Sequence, residues 1–145
     1  MKKQRSEKSI LWGVLAICAI ALIIYLIATR DGGFPEGVVE QPYTDISVQE
    51  ARTLLEENPD IIIIDVSPNY DEGHLPGAIN YYVGDGSLDE AIPTLDKEST
   101  YLVYCHFESA SRAGAQKLTD AGFGNVYRLR GDYPAWVNAG YEIEQ

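Results

Sequence analysis

The chain has 145 residues and a net charge of −11, and from residue 31 onward it holds 21 Asp and Glu against six Lys and Arg. That acidity argues against nucleic acid and anionic lipid surfaces as partners, because both are themselves negative. Cys18 and Cys105 are its two cysteines, so no disulfide framework is available, and two histidines among scattered acids make no zinc-ligand spacing and predict no bound metal.

Residues 1–9 are basic, with Lys2, Lys3, Arg5 and Lys8. Residues 10–28 follow without a single charge. As a helix that run is ~28 Å long, close to the ~30 Å hydrocarbon core of a bilayer. A signal peptide is the competing reading, since Ala19-Ile20-Ala21 fits a small-x-small cleavage site, but seven more uncharged residues follow it. The expectation is an uncleaved single-pass transmembrane helix in the cell membrane. Its cationic flank puts the N-terminus in the cytoplasm and the remainder outside, an extracytoplasmic placement. Cys18 then lies mid-membrane as a small apolar residue. Residues 29–42, with Gly32-Gly33, Pro35, Gly37 and Pro42, read as a linker.

The folded domain is expected over 43–145. A short strand at Asp45-Ile46 leads into Ser47, which with Glu50 makes a capping box for an amphipathic helix over 48–57. Residues 61–66, IIIIDV, are a nearly continuous apolar run of the kind found in a central parallel strand. A turn over 67–73 and a loop over 74–77 precede a second strand candidate at 78–83. Residues 88–95 suggest a short helix containing Pro93. Residues 101–105 form the next strong strand, and 109–121 a helix whose small or apolar positions are Ala110, Ala113, Ala115, Leu118 and Ala121, closed by Gly122. A strand at 125–129 and a short helix at 133–139 carrying Trp136 end the domain. Strands alternating with helices imply an α/β fold: a parallel sheet of about five strands, helices on both faces, and ligands at the C-terminal ends of the strands.

The chemistry concentrates at 101–112, YLVYCHFESASR. Cys105 stands where a strand meets a helix, and Ser109 and Ser111 are candidate N-caps. Unpaired amides and the helix dipole at such a turn favour thiolate over thiol, which predicts a nucleophilic cysteine.

Several blocks in order resemble the rhodanese family across most of 43–145. Asp65-Val66, Tyr70 and Gly73-His74-Leu75-Pro76-Gly77-Ala78-Ile79-Asn80 are similar to its first signature. Tyr104-Cys105 is similar to its active-site strand end. Leu118, Gly122-Phe123, Asn125-Val126 and the Gly131…Ala135-Trp136…Ala139-Gly140-Tyr141 block look like its C-terminal half. The resemblance implies a sulfurtransferase with no cofactor. Cys105 would take a sulfane sulfur as a persulfide from a donor (thiosulfate, a persulfide or a polysulfide) and pass it to a thiophilic acceptor. The loop His106, Phe107, Glu108, Ser109, Ala110, Ser111 and Arg112 would bind substrate, its amides cradling the sulfur. Asp65 and His74 would support the loop structurally.

The loop departs from the family pattern C-x-x-G-x-R-S. Glu108 stands where glycine is usual and Ala110 where arginine is usual, while Ser67 replaces an arginine that often follows Asp-Val. Two cations are lost and an acid is gained, so a neutral or organic donor fits better than thiosulfate, although Glu108 and Arg112 have the spacing to pair. A phosphatase of the C-x5-R type is disfavoured, because six residues separate Cys105 from Arg112. The alternative function is a weakly catalytic or non-catalytic sulfur-carrier or interaction module serving a membrane or extracytoplasmic protein partner.

Overall fold

The computed structural model describes residues 42–145. The membrane-spanning segment expected over 10–28 and nearly all of the linker lie outside the described residues; within them no helix is long and apolar enough to cross a membrane. Five parallel strands form one sheet: β1 (Thr44–Ile46), β2 (Ile62–Asp65), β3 (Ile79–Asn80), β4 (Thr100–Tyr104) and β5 (Asn125–Leu129). Their order is β1-β5-β4-β2-β3, which sets β4 at the centre. Among the described residues four α-helices accompany them: α1 (Val48–Glu57), α2 (Ser87–Ala91) and α3 (Glu108–Asp120) between strands and α4 (Asp132–Asn138) after β5, with single 3-10 turns at Tyr70–Glu72 and Ile92–Thr94.

Side chains along a strand alternate between faces, and β4 divides the core accordingly. Tyr101, Val103 and then Cys105 join Ile64, Val66, Leu88, Ala115 and Leu118 under α2 and α3. Leu102 and Tyr104 join Val48, Ala51, Leu75, Leu129 and Trp136 under α1 and α4. Both faces are therefore covered, as the unbroken apolar runs of β2 and β4 require.

Local signals set several boundaries. The Ser47–Glu50 capping box starts α1, with the Ser47 amide donating to Glu50 Oε2 at 2.7 Å. Gly122, at φ +90°, ends the α3 region in a Schellman turn: its amide reaches Thr119 O and that of Phe123 reaches Leu118 O. Gly114 lets α3 approach β2, since a Cβ there would lie 2.9 Å from Val66 Cγ1.

Other boundaries differ from expectation for tertiary reasons. The strand expected over 78–83 is only two residues long. The Asn80 side-chain amide donates to Asp65 O and Ser67 O, the second of which a longer β3 would engage. β4 stops at Tyr104 because the Cys105 amide turns off the ladder to Asp132 Oδ1 at 3.1 Å. α3 starts at Glu108, capped by Phe107 in extended conformation without a side-chain bond. Ser109 and Ser111 therefore cap nothing; Ser111 Oγ donates back to Glu108 O at 3.0 Å. Ala113 is exposed, and Gly114 takes its place on the buried face.

Candidate active site

Cys105 follows the central strand and is wholly buried. The start of α4 holds both of its backbone groups: the amide donates to Asp132 Oδ1, and the carbonyl accepts from Tyr133 N at 2.9 Å. The amides of His106 and Phe107 favour the thiolate, as the turn geometry suggests. Burial outweighs them and pushes the thiol above its ordinary value, and the charges of Asp65 and Asp132 act in the same direction. The sequence-based expectation of a depressed thiol pKa is thus reversed, because it omits the burial of the thiol and, after that, two carboxyls that the fold delivers from β2 and α4.

The loop amides are fewer than the sequence suggests. Those of Ala110 and Ser111 donate to Phe107 O at 3.1 and 3.3 Å, inside the first turn of α3. His106 is pinned from the side: its ring stacks on Tyr133 (centroids 4.2 Å apart), and Nε2–H donates to Gly73 O at 3.1 Å. Phe107 is 60% exposed, beside a thiol that is not exposed at all. Glu108 and Ser109 also face solvent, and Ala110 is half-buried. Arg112 spans one turn to Glu108, with Nε 3.1 Å from Oε1, and this partner holds the Glu108 carboxyl below its usual value. The added acid and the shifted arginine therefore neutralise one another, as their spacing suggests.

Asp65 ends β2 as a buried carboxyl that accepts from the Ser67 amide through Oδ1 at 2.8 Å. Its Oδ2 has no hydrogen-bond partner and lies 3.9 Å from His106 Nε2. Burial pushes this carboxyl above its ordinary pKa against the pull of Ser67, Tyr104 and His106. His74 stacks on Tyr70 at 3.8 Å, its Nδ1 lies 3.1 Å from Tyr70 O, and its backbone pairs with Glu144 in both directions at 2.9 Å. These contacts hold the 74–77 loop and the C-terminal residues together.

Three residues that sequence reasoning passed over complete the site. Arg128 of β5 is fully buried, on the same face as Cys105. Its Nε and Nη2 donate to the two oxygens of Asp45 on β1, each at 2.7 Å, and Nη1 donates to Ser111 Oγ at 3.3 Å. Asp132 is buried at φ +56°, and its Oδ2 has no hydrogen-bond partner. The available signals were an arginine at an inward strand position and an aspartate directly after Gly131; neither has meaning until the strands are paired.

Among the described residues, no group of three or more His, Cys, Asp or Glu is placed to hold a metal ion. A cleft of about 410 Å³ lined by Leu55, Ile61, Ile63 and Trp136 opens beside the start of β2, at the other end of the sheet from Cys105. Cys105 instead occupies the position where parallel α/β sheets collect their chemistry, at the carboxyl ends of the strands.

Comparison with known proteins agrees with this geometry. The rhodanese-like domain profile matches residues 47–139. The thiosulfate sulfurtransferase GlpE of Coxiella burnetii is 36% identical over 96 residues, covering 65% of this chain and 87% of the relative. The crystal structure of the Alr3790 protein from Anabaena sp. superposes with a TM-score of 0.62 at 27% identity, covering 68% of this chain and 81% of that one. The polysulfide-sulfur transferase homodimer of Wolinella succinogenes gives 0.59 at 26% identity, covering 71% and 79%. On the profile match, the sheet order and the cysteine at the end of the central strand, the chain belongs to the rhodanese-like domain family.

Proposed function

We propose that the protein is a sulfurtransferase in which Cys105 carries the sulfur. The observation that carries this reading is the place of the thiol: directly after the central strand, with the His106 and Phe107 amides favouring its anion. The Cys105 thiolate attacks the outer, sulfane sulfur of a donor. A new S–S bond forms as the donor's S–S bond breaks, and the leaving group departs with the electron pair, as sulfite from thiosulfate or as a thiolate from an organic persulfide. A thiophile such as cyanide or a thiol then takes the outer sulfur and returns Cys105 to thiolate. Relatives named for thiosulfate and polysulfide transfer support this chemistry without choosing the donor. Intact mass spectrometry after incubation with thiosulfate, inorganic polysulfide or glutathione persulfide tests it. One added sulfur is expected on the wild type, removable by cyanide and absent in Cys105→Ser. No adduct with any donor overturns the proposal.

A second reading, a sulfur carrier or interaction module serving a protein partner, is favoured by the complete burial of Cys105 and its raised thiol pKa. Single loading without repeated turnover to cyanide would select it. The uncharged segment 10–28 behind a cationic N-terminus supports a membrane tether with the domain on the extracytoplasmic side. A C-terminal reporter active in the cytoplasm would overturn that placement.

A further inference from the structure

The charges around Cys105 leave an imbalance that the family chemistry does not require. Arg128 of β5 is committed to Asp45 of β1 through two hydrogen bonds, and Arg112 of α3 is committed to Glu108. Arg130 is exposed at the end of β5 and acts on Glu50. His106 of the loop donates to Gly73 O. What remains without a hydrogen-bonded counter-charge is the pair of buried carboxyls on either side of Cys105, Asp65 on β2 and Asp132 at the start of α4: each has one oxygen lacking a hydrogen-bond partner, with His106 Nε2 no nearer than 3.9 Å to that of Asp65 and Arg128 acting on Asp132 only through space. Asp132 is the closer tied, since its Oδ1 accepts the Cys105 amide at 3.1 Å. It is also the one described non-glycine residue at positive φ, so the carboxyl is held there in a backbone conformation that a side chain disfavours.

From this arrangement we infer that Asp132 is a positioning residue that sets the choice of sulfur donor. Fixed on the Cys105 backbone, its carboxyl turns the loop against dianionic donors such as thiosulfate and toward donors that carry one charge or a proton, such as organic hydropersulfides. The inference rests on Cys105 being the sulfur carrier. The reaction is balanced without any further reagent. The thiolate attacks the outer sulfur of R–S–SH, the R–S to S bond breaks, and R–S⁻ leaves with the electron pair and takes up a proton from water. An ionised Asp132 opposes an incoming dianion about twice as strongly as a monoanion, and opposes a neutral hydropersulfide hardly at all. A protonated Asp132 removes that bias, so the preference grows with pH. Burial, with a smaller push from Glu108 of α3, holds its proton to higher pH than an ordinary aspartate, against the pull of Ser111, the Cys105 amide and Arg128.

The test uses the full chain and two variants, Asp132→Asn, which keeps an acceptor for the Cys105 amide, and Asp132→Gly, which also relieves the positive φ. Two quantities are read at the Cys105 peptide by mass spectrometry: the pH profile of iodoacetamide alkylation, and the ratio of persulfide loading rates from thiosulfate and from 2-mercaptoethanol persulfide, which carries at most one charge. Both variants are expected to alkylate with a lower apparent thiol pKa and to raise the thiosulfate-to-persulfide ratio at least about fivefold at pH 8, with a smaller rise at pH 5.5. An unchanged ratio in both variants that still load overturns the inference and leaves the sulfurtransferase reading intact. No loading of wild type or variants by any donor overturns both.

Discussion

The buried Arg128–Asp45 pair allows a quantitative test of how the loop is supported. The two partners are not equally buried: the Arg128 side chain is 1% exposed and that of Asp45 is 27% exposed. Removing the carboxylate charge with Asp45→Asn leaves a buried guanidinium without its hydrogen-bonded counter-charge, with one good acceptor on residue 45 where it had two and only the more distant Glu108 Oε1, at 3.9 Å, to replace it. That places the cost near the range for breaking a buried pair, about 3–5 kcal/mol. The reverse change, Arg128→Met, fills the same space with an apolar chain and leaves Asp45 able to reach water. It should cost less, about 1–3 kcal/mol, chiefly the loss of the bonds to Asp45 and Ser111. The double variant should be more stable than Asp45→Asn alone, because it removes the stranded charge. Urea unfolding of Gln41–Gln145, followed by tryptophan fluorescence, measures all four corners of the cycle. If Asp45→Asn cost less than Arg128→Met, the buried guanidinium would not be the element that needs its partner, and the reasoning would be wrong.

Three further perturbations probe the frame around that pair. Gly114→Ala drives a methyl to 2.9 Å from Val66 Cγ1, a stiff buried side chain; overpacking of about 1–3 kcal/mol less a helix-propensity gain of about 1 kcal/mol predicts a modest net loss in urea unfolding. Ser47→Ala removes one half of the capping box and should cost about 1 kcal/mol by the same measurement. Asp65→Asn tests proton linkage: the folded carboxyl has a raised pKa, so the native state binds the proton more tightly than the unfolded chain, and wild-type stability is lost as pH rises from the unfolded value through the folded one. The variant, which keeps an acceptor for the Ser67 amide, should therefore gain on the wild type between pH 4 and neutrality. A difference that does not vary with pH would show that Asp65 ionises in the fold as it does in the unfolded chain.

What could be read from the sequence was what is decided within a few residues. The Ser47–Glu50 box, the Gly122 helix end, the strand Asn125–Leu129 and the Glu108–Arg112 pairing are local, and all appear where the residues imply. The misjudged boundaries are set by bonds across the fold. Asn80 closes on Asp65 and Ser67 from 15 and 13 positions away, and Cys105 leaves the β4 ladder for Asp132, 27 positions further on. Arg128 carries no legible sign of burial, because its partner Asp45 lies 83 positions away and meets it only when β1 and β5 pair in register. The same distance explains the reversed expectation for the thiol. The helix start and its amides are visible beside Cys105 in the chain, whereas the burial that outweighs them, and the carboxyls that add to it, come from other elements.

A cation inside a fold is not the same as a cation offered to a ligand. Arg128 sits beneath the first turn of α3, near enough to Ser111 for a hydrogen bond, and by position alone it could stand in for the arginine absent at Ala110. Its two bonds to Asp45 spend that charge on holding β1, β5 and α3 together, and Arg112 is spent likewise on Glu108. Once these pairs cancel, the field at Cys105 comes from two amides favouring the anion, and from burial and two carboxyls opposing it. The stability of the loop and its affinity for anions are therefore separate properties here. Strengthening the Arg128–Asp45 pair would tighten the loop without freeing a cation for an anionic ligand, while a change at Asp132 would alter the charge met by the Cys105 thiol and leave both hydrogen bonds between Arg128 and Asp45 in place.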